Sequence, residues 1–398
     1  MKNVRQLLIL SNPHPDGVTD NFAYSLATAA LGMGLTAQII SDPQSAARLA
    51  NADLDSHCAA IAIGPMPLQM QVGGLPIADF LTCPIWLYLL DSPVYDFLRV
   101  PQTLEFARRA QVSPRFRIAF AEQSYMELYC SQNLIPKTSH YLPFAGFPRL
   151  QVAAVDRTVV PQDRLVLIGA LGAELSAGAV APTLIQTLQG SNRLGLSGNE
   201  LARSEAALSD PACRGNPVAA LAEAIGLSPE LHLDARFLEF ACAADSWVKR
   251  FRRLAGVRSL AGFPVDFIGT GWEQAFQGVE GFRFLGRVMH EDIALLAINY
   301  RAVVNFDPNW EHGVHDRVPT ALMAGVDVIT QANRALVQNG LPACAIHAFE
   351  PNAPDLAAAA DAVLSRPGKG PCRPRMDLIV QQGWARRLGS LLEAGMAS

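Results

Sequence analysis

Between residues 311 and 317 the chain carries Glu311, His312, His315, Asp316 and Arg317: two histidines, two acids and an arginine within seven residues. Three chemistries suit that set. A metal could use His312 and His315 with Asp316 or Glu311, but a transition-metal site wants three or four ligands braced by outer partners, and no further His or Cys lies nearby in sequence. A solvated loop would use His and Asp to cap the next helix and would pair the Arg with an acid. An anion would be met by Arg317, a planar fork of donors, beside the N–H groups of a helix start at which Pro319 suits the first turn. The flanking residues favour a phosphate or diphosphate. An apolar strand, "AVVNFD", runs into the loop "PNWEHGVHDR", and "PTALMAG" then opens a helix. Ligands of open parallel sheets gather at such strand-to-helix loops.

The elements that position such a loop recur along the chain. Residues 4 to 10 read as a continuous apolar strand, followed by the loop "NPHPDGVTD" and a helix "NFAYSLATAALGMG" with Asp20 at its N-cap. Apolar strands follow at 36–40, 59–64, 85–91 and 116–122, with Trp86 and Tyr88 as core residues of the strand at 85–91. Continuous apolar strands separated by helices predict a parallel sheet covered on both faces. A Pro- and Gly-rich stretch at 143–163 marks a boundary at about residue 155, and a fresh strand, "LVLIGA", begins at 165. Residues 171–260 read as an alanine-rich helical insertion that ends in the basic helix "DSWVKRFRRLAG". Its Lys249, Arg250, Arg252 and Arg253 suit the dipole of a helix C-terminus and need no ligand, though a carbohydrate or protein acceptor could use them. Strands return at 265–269, 282–286, 302–307, 326–330 and 343–349, predicting a second parallel sheet. The close, "DLIVQQGWARRLGSLLEAG", reads as one terminal amphipathic helix over 376–398 that packs back on the first domain through Trp384.

Composition narrows the class. The chain has 398 residues, 50% hydrophobic and 17% charged, which suits two folded α/β domains rather than a disordered chain. A net charge of -4 gives no general attraction to nucleic acid or to an anionic membrane. Seven cysteines without a C-x-x-C pair read as buried thiols of a reducing compartment. The first apolar run is a strand rather than a signal peptide, and no run approaches the roughly 20 residues of a membrane span, so a cytoplasmic location is expected.

The stretch "VDFIGTGWEQAFQGVEGFRFLGRVMHEDIALLAINYRAVVNFDPNWEHGVHDRVPTALMAGVDVIT" resembles the C-terminal half of the group-1 glycosyltransferases related to spore maturation proteins. These are a branch of the GT-B fold, and the match is close over about 65 residues. The resemblance implies an α/β chain of two Rossmann-like doubly wound domains facing across a cleft, with the helical insertion in the second. It implies an N-terminal acceptor-side domain over 1–155 and a C-terminal donor domain over 156–375. In residue roles, Gly269, Gly271 and Trp272 would form the turn under the donor, and Arg287 to Glu291, with His290 among them, would recognise the base. His315, Asp316 and Arg317 would contact diphosphate and sugar. Many relatives place a Glu five residues before the glycine of the Ala-Gly pair, to hold the ribose hydroxyls. Here that position is Thr320, whose hydroxyl bonds a ribose less strongly than a carboxylate would.

Such an enzyme takes a nucleotide-sugar as co-substrate, with no separate cofactor and no essential metal, and transfers the sugar to an acceptor protein, surface glycan or metabolite. Inverting transfer needs a base for the acceptor hydroxyl. In the first domain His14 and Asp16 stand in the loop after the first strand, and Asp91 directly follows the strand at 85–91, where a buried-edge carboxylate would sit. Two other readings remain open: a member of the fold kept for binding or scaffolding without turnover, and a nucleotide-sugar epimerase or hydrolase.

Overall fold

Apolar runs without polar alternation are satisfied only where both faces of a strand are covered, and all of the long ones here enter parallel sheets. The computed structural model describes residues 4–51, 57–147, 160–171, 182–210, 216–306, 309–350, 353–367 and 375–396. The chain divides into two compact units. One comprises residues 1–143, 228–238 and 383–398, and the other residues 144–227 and 239–382. The expected boundary at residue 155 lies outside the described residues.

The first unit holds β1 (Gln6–Leu10), β2 (Thr36–Ile40), β3 (Cys58–Ile63), a short antiparallel pair β4 (Gln71–Val72) and β5 (Leu75–Pro76), then β6 (Ile85–Leu89), β7 (Phe116–Phe120) and β8 (His140–Tyr141). Its six-stranded sheet runs β2-β1-β3-β6-β7-β8, every pairing parallel. β1, β3 and β6 are almost wholly buried, and Trp86 and Tyr88 lie in the core.

The second unit holds β9 (Gln162–Ile168), β10 (Val265–Ile268), β11 (Phe282–Phe284), β12 (Tyr300–Asn305), β13 (Asp327–Gln331) and β14 (Ile346–Phe349). These are ordered β11-β10-β9-β12-β13-β14, again all parallel. Counted from β9 the order is 3-2-1-4-5-6, the doubly wound arrangement of dinucleotide-binding folds, and its switch point lies between β9 and β12. Buried side chains on the two faces of this sheet form two separate apolar clusters. Thus the α/β class, with two Rossmann-like doubly wound units, is what the chain adopts.

Several local expectations are corrected. The first helix spans Val18–Gly32 with Gly17 at its N-cap, so Asp20 lies within the first turn, where its carboxylate suits the dipole. The basic helix is longer than its composition suggests, Ala235–Arg258, which places Lys249 to Arg253 inside it rather than at its end. Lys249 pairs with Asp245 one turn earlier at 3.1 Å. The terminal segment is two helices, Met376–Gln382 and Trp384–Met396. The break falls at Gly383, a weak helix former, where the Gln382 carbonyl accepts from the Gly146 N–H at 3.3 Å and its carboxamide donates to the Asn339 carbonyl. In the first unit Trp384 packs edge-on against Phe22 and Tyr88. Among the described cysteines Cys58 and Cys83 are buried but Cys344 is exposed, so the thiols are not uniformly core residues. Among the described residues no helix is long and apolar enough to cross a membrane.

Candidate functional site

The loop from β12 to the helix Arg317–Met323 is held at both ends. Asn309, fully buried, donates to the Asp245 carboxylate at 2.7 Å and to its carbonyl at 3.1 Å. Asn333 donates to the carbonyls of Trp310 and Gly313 at 3.1 and 2.6 Å. Between these anchors the His315 ring stacks on Trp310, with centroids 5.6 Å apart, and leans on Phe144.

The charged residues of this loop divide into two groups. Asp316, only 2% exposed, turns inward between two imidazoles. Its Oδ2 meets His290 Nε2 at 2.5 Å, and its Oδ1 lies against His315 Nδ1. Burial by itself would raise the carboxyl, but the positive potential and hydrogen bonds of His315 and His290 outweigh it and hold Asp316 well below the usual carboxylate range. His290 is itself buried beneath an edge-on contact with Phe147 at 4.9 Å. Asp316 and His290 therefore pack as a buried pair that borders His315. Asp316 and His290, read from the sequence as diphosphate and base contacts, thus both lie buried beside His315.

Arg317 turns the other way. Its Nη1 donates to the Ile168 carbonyl at the end of β9, and its other nitrogens lie 3.0–3.2 Å from the His315 ring. Arg253, from the long helix, donates through Nη1 to the Ala170 carbonyl at 2.8 Å. Two guanidinium groups thus meet the turn leaving β9 from separate elements, in a small crevice at the switch point that Trp272 and Phe306 also line. The sequence reading gives Arg253 no part in the donor site. Its signal is the composition of the basic helix, but nothing local distinguishes it from its neighbours.

Glycine is required at two points of this crevice. Gly169 has φ +132, and a Cβ there would lie 2.6 Å from Arg317 Nη1. Gly269 has φ +124, and its Cβ would collide with the Gly169 backbone. The two turns interlock: Gly169 N–H donates to Ile268 O at 2.8 Å, Leu171 N–H to Thr270 O at 2.9 Å, and Gly269 N–H to Gly286 O at 2.7 Å. Such close backbone approach admits no side chain. Sequence reasoning singles out Gly269 and misses Gly169, although Gly169 follows an apolar strand in the same way.

The remaining expected residues are placed as follows. Trp272 is 1% exposed, packed against Phe267 and Phe276, and its indole N–H donates to the Gly169 carbonyl at 2.6 Å. It is a core staple under the crevice. Gly271 caps the short helix Trp272–Phe276. Arg287 is exposed just beyond β11. Thr320 is 3% exposed, and its hydroxyl is used inside the protein: it donates to the Asp316 carbonyl at 2.7 Å and accepts from the Phe147 N–H at 3.1 Å. One lone pair of that buried hydroxyl is left for a further donor. Among the described residues no three His, Cys, Asp or Glu side chains are grouped to hold a metal ion.

In the first unit, His14, Asp16 and Asp91 lie at the carboxyl edge of the sheet. His14 is exposed and accepts the Asp16 N–H at Nδ1 at 3.1 Å. Asp16 is half-buried. Asp91 is exposed rather than buried, and accepts the Ser92 N–H at 2.8 Å. β3 lies between β1 and β6, so the loops that carry Asp16 and Asp91 leave strands that are not neighbours in the sheet.

No family model matches the chain, and no curated protein sequence matches it. Among solved structures it is similar over 98% of its length to 97% of AviGT4, a glycosyltransferase involved in avilamycin A biosynthesis, at 12% identity and a TM-score of 0.48. A sucrose-phosphate synthase from Thermosynechococcus elongatus is similar over 99% of both chains at 12% identity and a TM-score of 0.49. The DNA-modifying enzyme β-glucosyltransferase is similar over 98% of this chain and 99% of its own at 10% identity and a TM-score of 0.47.

Proposed function

We propose that the chain is a GT-B glycosyltransferase that binds the diphosphate of a nucleotide-sugar at the β9–β12 crevice of its second unit. The observation that carries this reading is the convergence of Arg253 and Arg317 on the Gly169–Ala170 turn at the switch point of a 3-2-1-4-5-6 sheet. When the bond between sugar and diphosphate breaks, negative charge develops on the leaving phosphate oxygen. Two guanidinium groups held beside a glycine turn would stabilise such charge through whichever of their N–H donors turn to the phosphate. His315, held by Asp316 and stacked on Trp310, borders the same arginine and would help to orient it.

For the acceptor hydroxyl, Asp16 is the preferred base of the three candidates. His14 accepts the Asp16 N–H at Nδ1, so its neutral ring carries the proton at Nε2 and that nitrogen has no lone pair to offer. Asp16→Asn should lower transfer with nucleotide binding intact, while unchanged transfer would remove Asp16 from the mechanism.

A thermal-shift series with UDP, GDP, ADP, CMP and dTDP, with and without divalent cation, tests the donor site. A ligand at 100 times its Kd stabilises a fold by about 2.7 kcal/mol. One nucleotide should raise Tm in the wild type and fail to do so in Arg317→Ala and Arg253→Ala; no shift with any nucleotide would sink the reading. A binding protein without turnover is the second reading, favoured by the commitment of the Thr320 hydroxyl inside the fold. Nucleotide binding without transfer to any acceptor would support it, and interconversion of the donor alone would indicate an epimerase or hydrolase.

A further inference from the structure

The first unit has a cavity of about 420 Å³ at the carboxyl ends of β1 and β2, beside the segment that follows β3. None of His14, Asp16 and Asp91 lines it. It lies next to the β1–β3 step, where the strand order of this sheet reverses, which is where open α/β sheets take ligands. Its volume falls within the roughly 300–1,000 Å³ of small-molecule sites.

The wall has a consistent chemistry. Asn12, Gln69 and Gln71 contribute carboxamides and Ser41 a hydroxyl, while the hydroxyl of the buried Ser11 donates to the Thr19 carbonyl. Each carboxamide offers both donors and an acceptor. The Gln69 and Gln71 side chains are exposed and are engaged by no other group among the described residues. Asp42 is the single charged side chain in the wall, and its carboxylate is already bonded to the Ser45 N–H at 2.7 Å as a helix cap. Among the described residues no cationic side chain lines the cavity. A phosphate or carboxylate would therefore find no partner and would face a negative charge. Nor does an aromatic ring stand among these lining residues to stack a flat heterocycle. Met66 and Met70 supply adaptable apolar surface instead, and Met66 is 46% exposed.

We infer that this cavity binds a neutral carbohydrate, whose vicinal hydroxyls each donate and accept as the carboxamides do and whose C–H faces rest on the methionines. Identification of that carbohydrate as the acceptor rests on the glycosyl-transfer reading above, whereas its binding does not.

The test is saturation-transfer NMR on the full chain with glucose, galactose, N-acetylglucosamine and maltose, against glucose 6-phosphate, in wild type and in a Gln69→Leu/Gln71→Leu double variant. At least one neutral sugar should bind saturably, glucose 6-phosphate at least tenfold more weakly, and the double variant should lose tenfold or more in affinity with Tm unchanged. A Gln71→Arg variant should shift preference toward the sugar phosphate. No saturable neutral sugar, stronger binding of the phosphate by the wild type, or full affinity in the double variant would each overturn the inference. If UDP or another nucleotide stabilises the protein through Arg317 while no sugar binds, the cavity inference alone fails. If sugars bind and no nucleotide does, the cavity stands and the transfer reading fails.

Discussion

Gly169→Ala is the sharpest probe of the crevice. The new methyl group would meet Arg317 Nη1 at 2.6 Å, on a backbone at φ +132 that L side chains rarely adopt. Backbone strain of this kind costs about 1–3 kcal/mol. If Arg317 retreats, its charged hydrogen bond to the Ile168 carbonyl is lost as well, at about 1.5–3 kcal/mol. A total of about 4 kcal/mol corresponds to a fall in Tm of roughly 8–16 °C for a unit of this size. Thermal unfolding of wild type, Gly169→Ala, Arg317→Ala and the double variant separates the two causes. In the Arg317→Ala background the collision is gone and only strain remains, so the glycine substitution should cost less there by about 1.5 kcal/mol. Additive costs, or a Gly169→Ala variant within about 0.5 kcal/mol of wild type, would refute the steric account.

Other outcomes follow from the same contacts. Thr320→Val leaves the buried Phe147 N–H without its acceptor and should cost about 1–3 kcal/mol in stability, while nucleotide affinity stays unchanged; a loss of affinity at unchanged Tm would restore Thr320 as a ribose ligand. Asp316→Asn should destabilise by about 3 kcal/mol at pH 7, because two imidazoles lose the buried carboxylate between them. Since the folded carboxyl is held below its ordinary value, its stabilisation is fully present above about pH 4 and is lost as pH falls through the depressed value, so acid titrations of the two proteins should converge only at the lowest pH. Trp384→Ala removes a 4%-exposed ring from against Phe22 and Tyr88 and should cost about 3–5 kcal/mol; hydrogen exchange should rise along Trp384–Met396 and not along Met376–Gln382.

Period and composition determined much of this protein. Uninterrupted apolar runs bounded by turns predict buried parallel strands, and the strands at 36–40, 85–89 and 265–268 stand where those runs do. The loop after β12 was legible because strand, loop and helix occur there in that order. Helix ends were less legible. Gly383 and Gln382 break the terminal helix through bonds to Gly146 and Asn339, which no local pattern reveals.

The tertiary structure alone decided which side chains of the loop face the crevice. Asp316 and Arg317 are neighbours in sequence, yet one is drawn inward by His290, 26 residues earlier, and the other reaches Ile168, 149 residues earlier. Arg253 meets Ala170 across 83 residues. These partners are set by strand order, which places β9 between β10 and β12, and a local sequence window carries no record of that order. The cavity in the first unit has the same origin: Asn12, Ser41 and Gln71 are unremarkable polar residues until β1, β2 and the segment after β3 bring them to one wall.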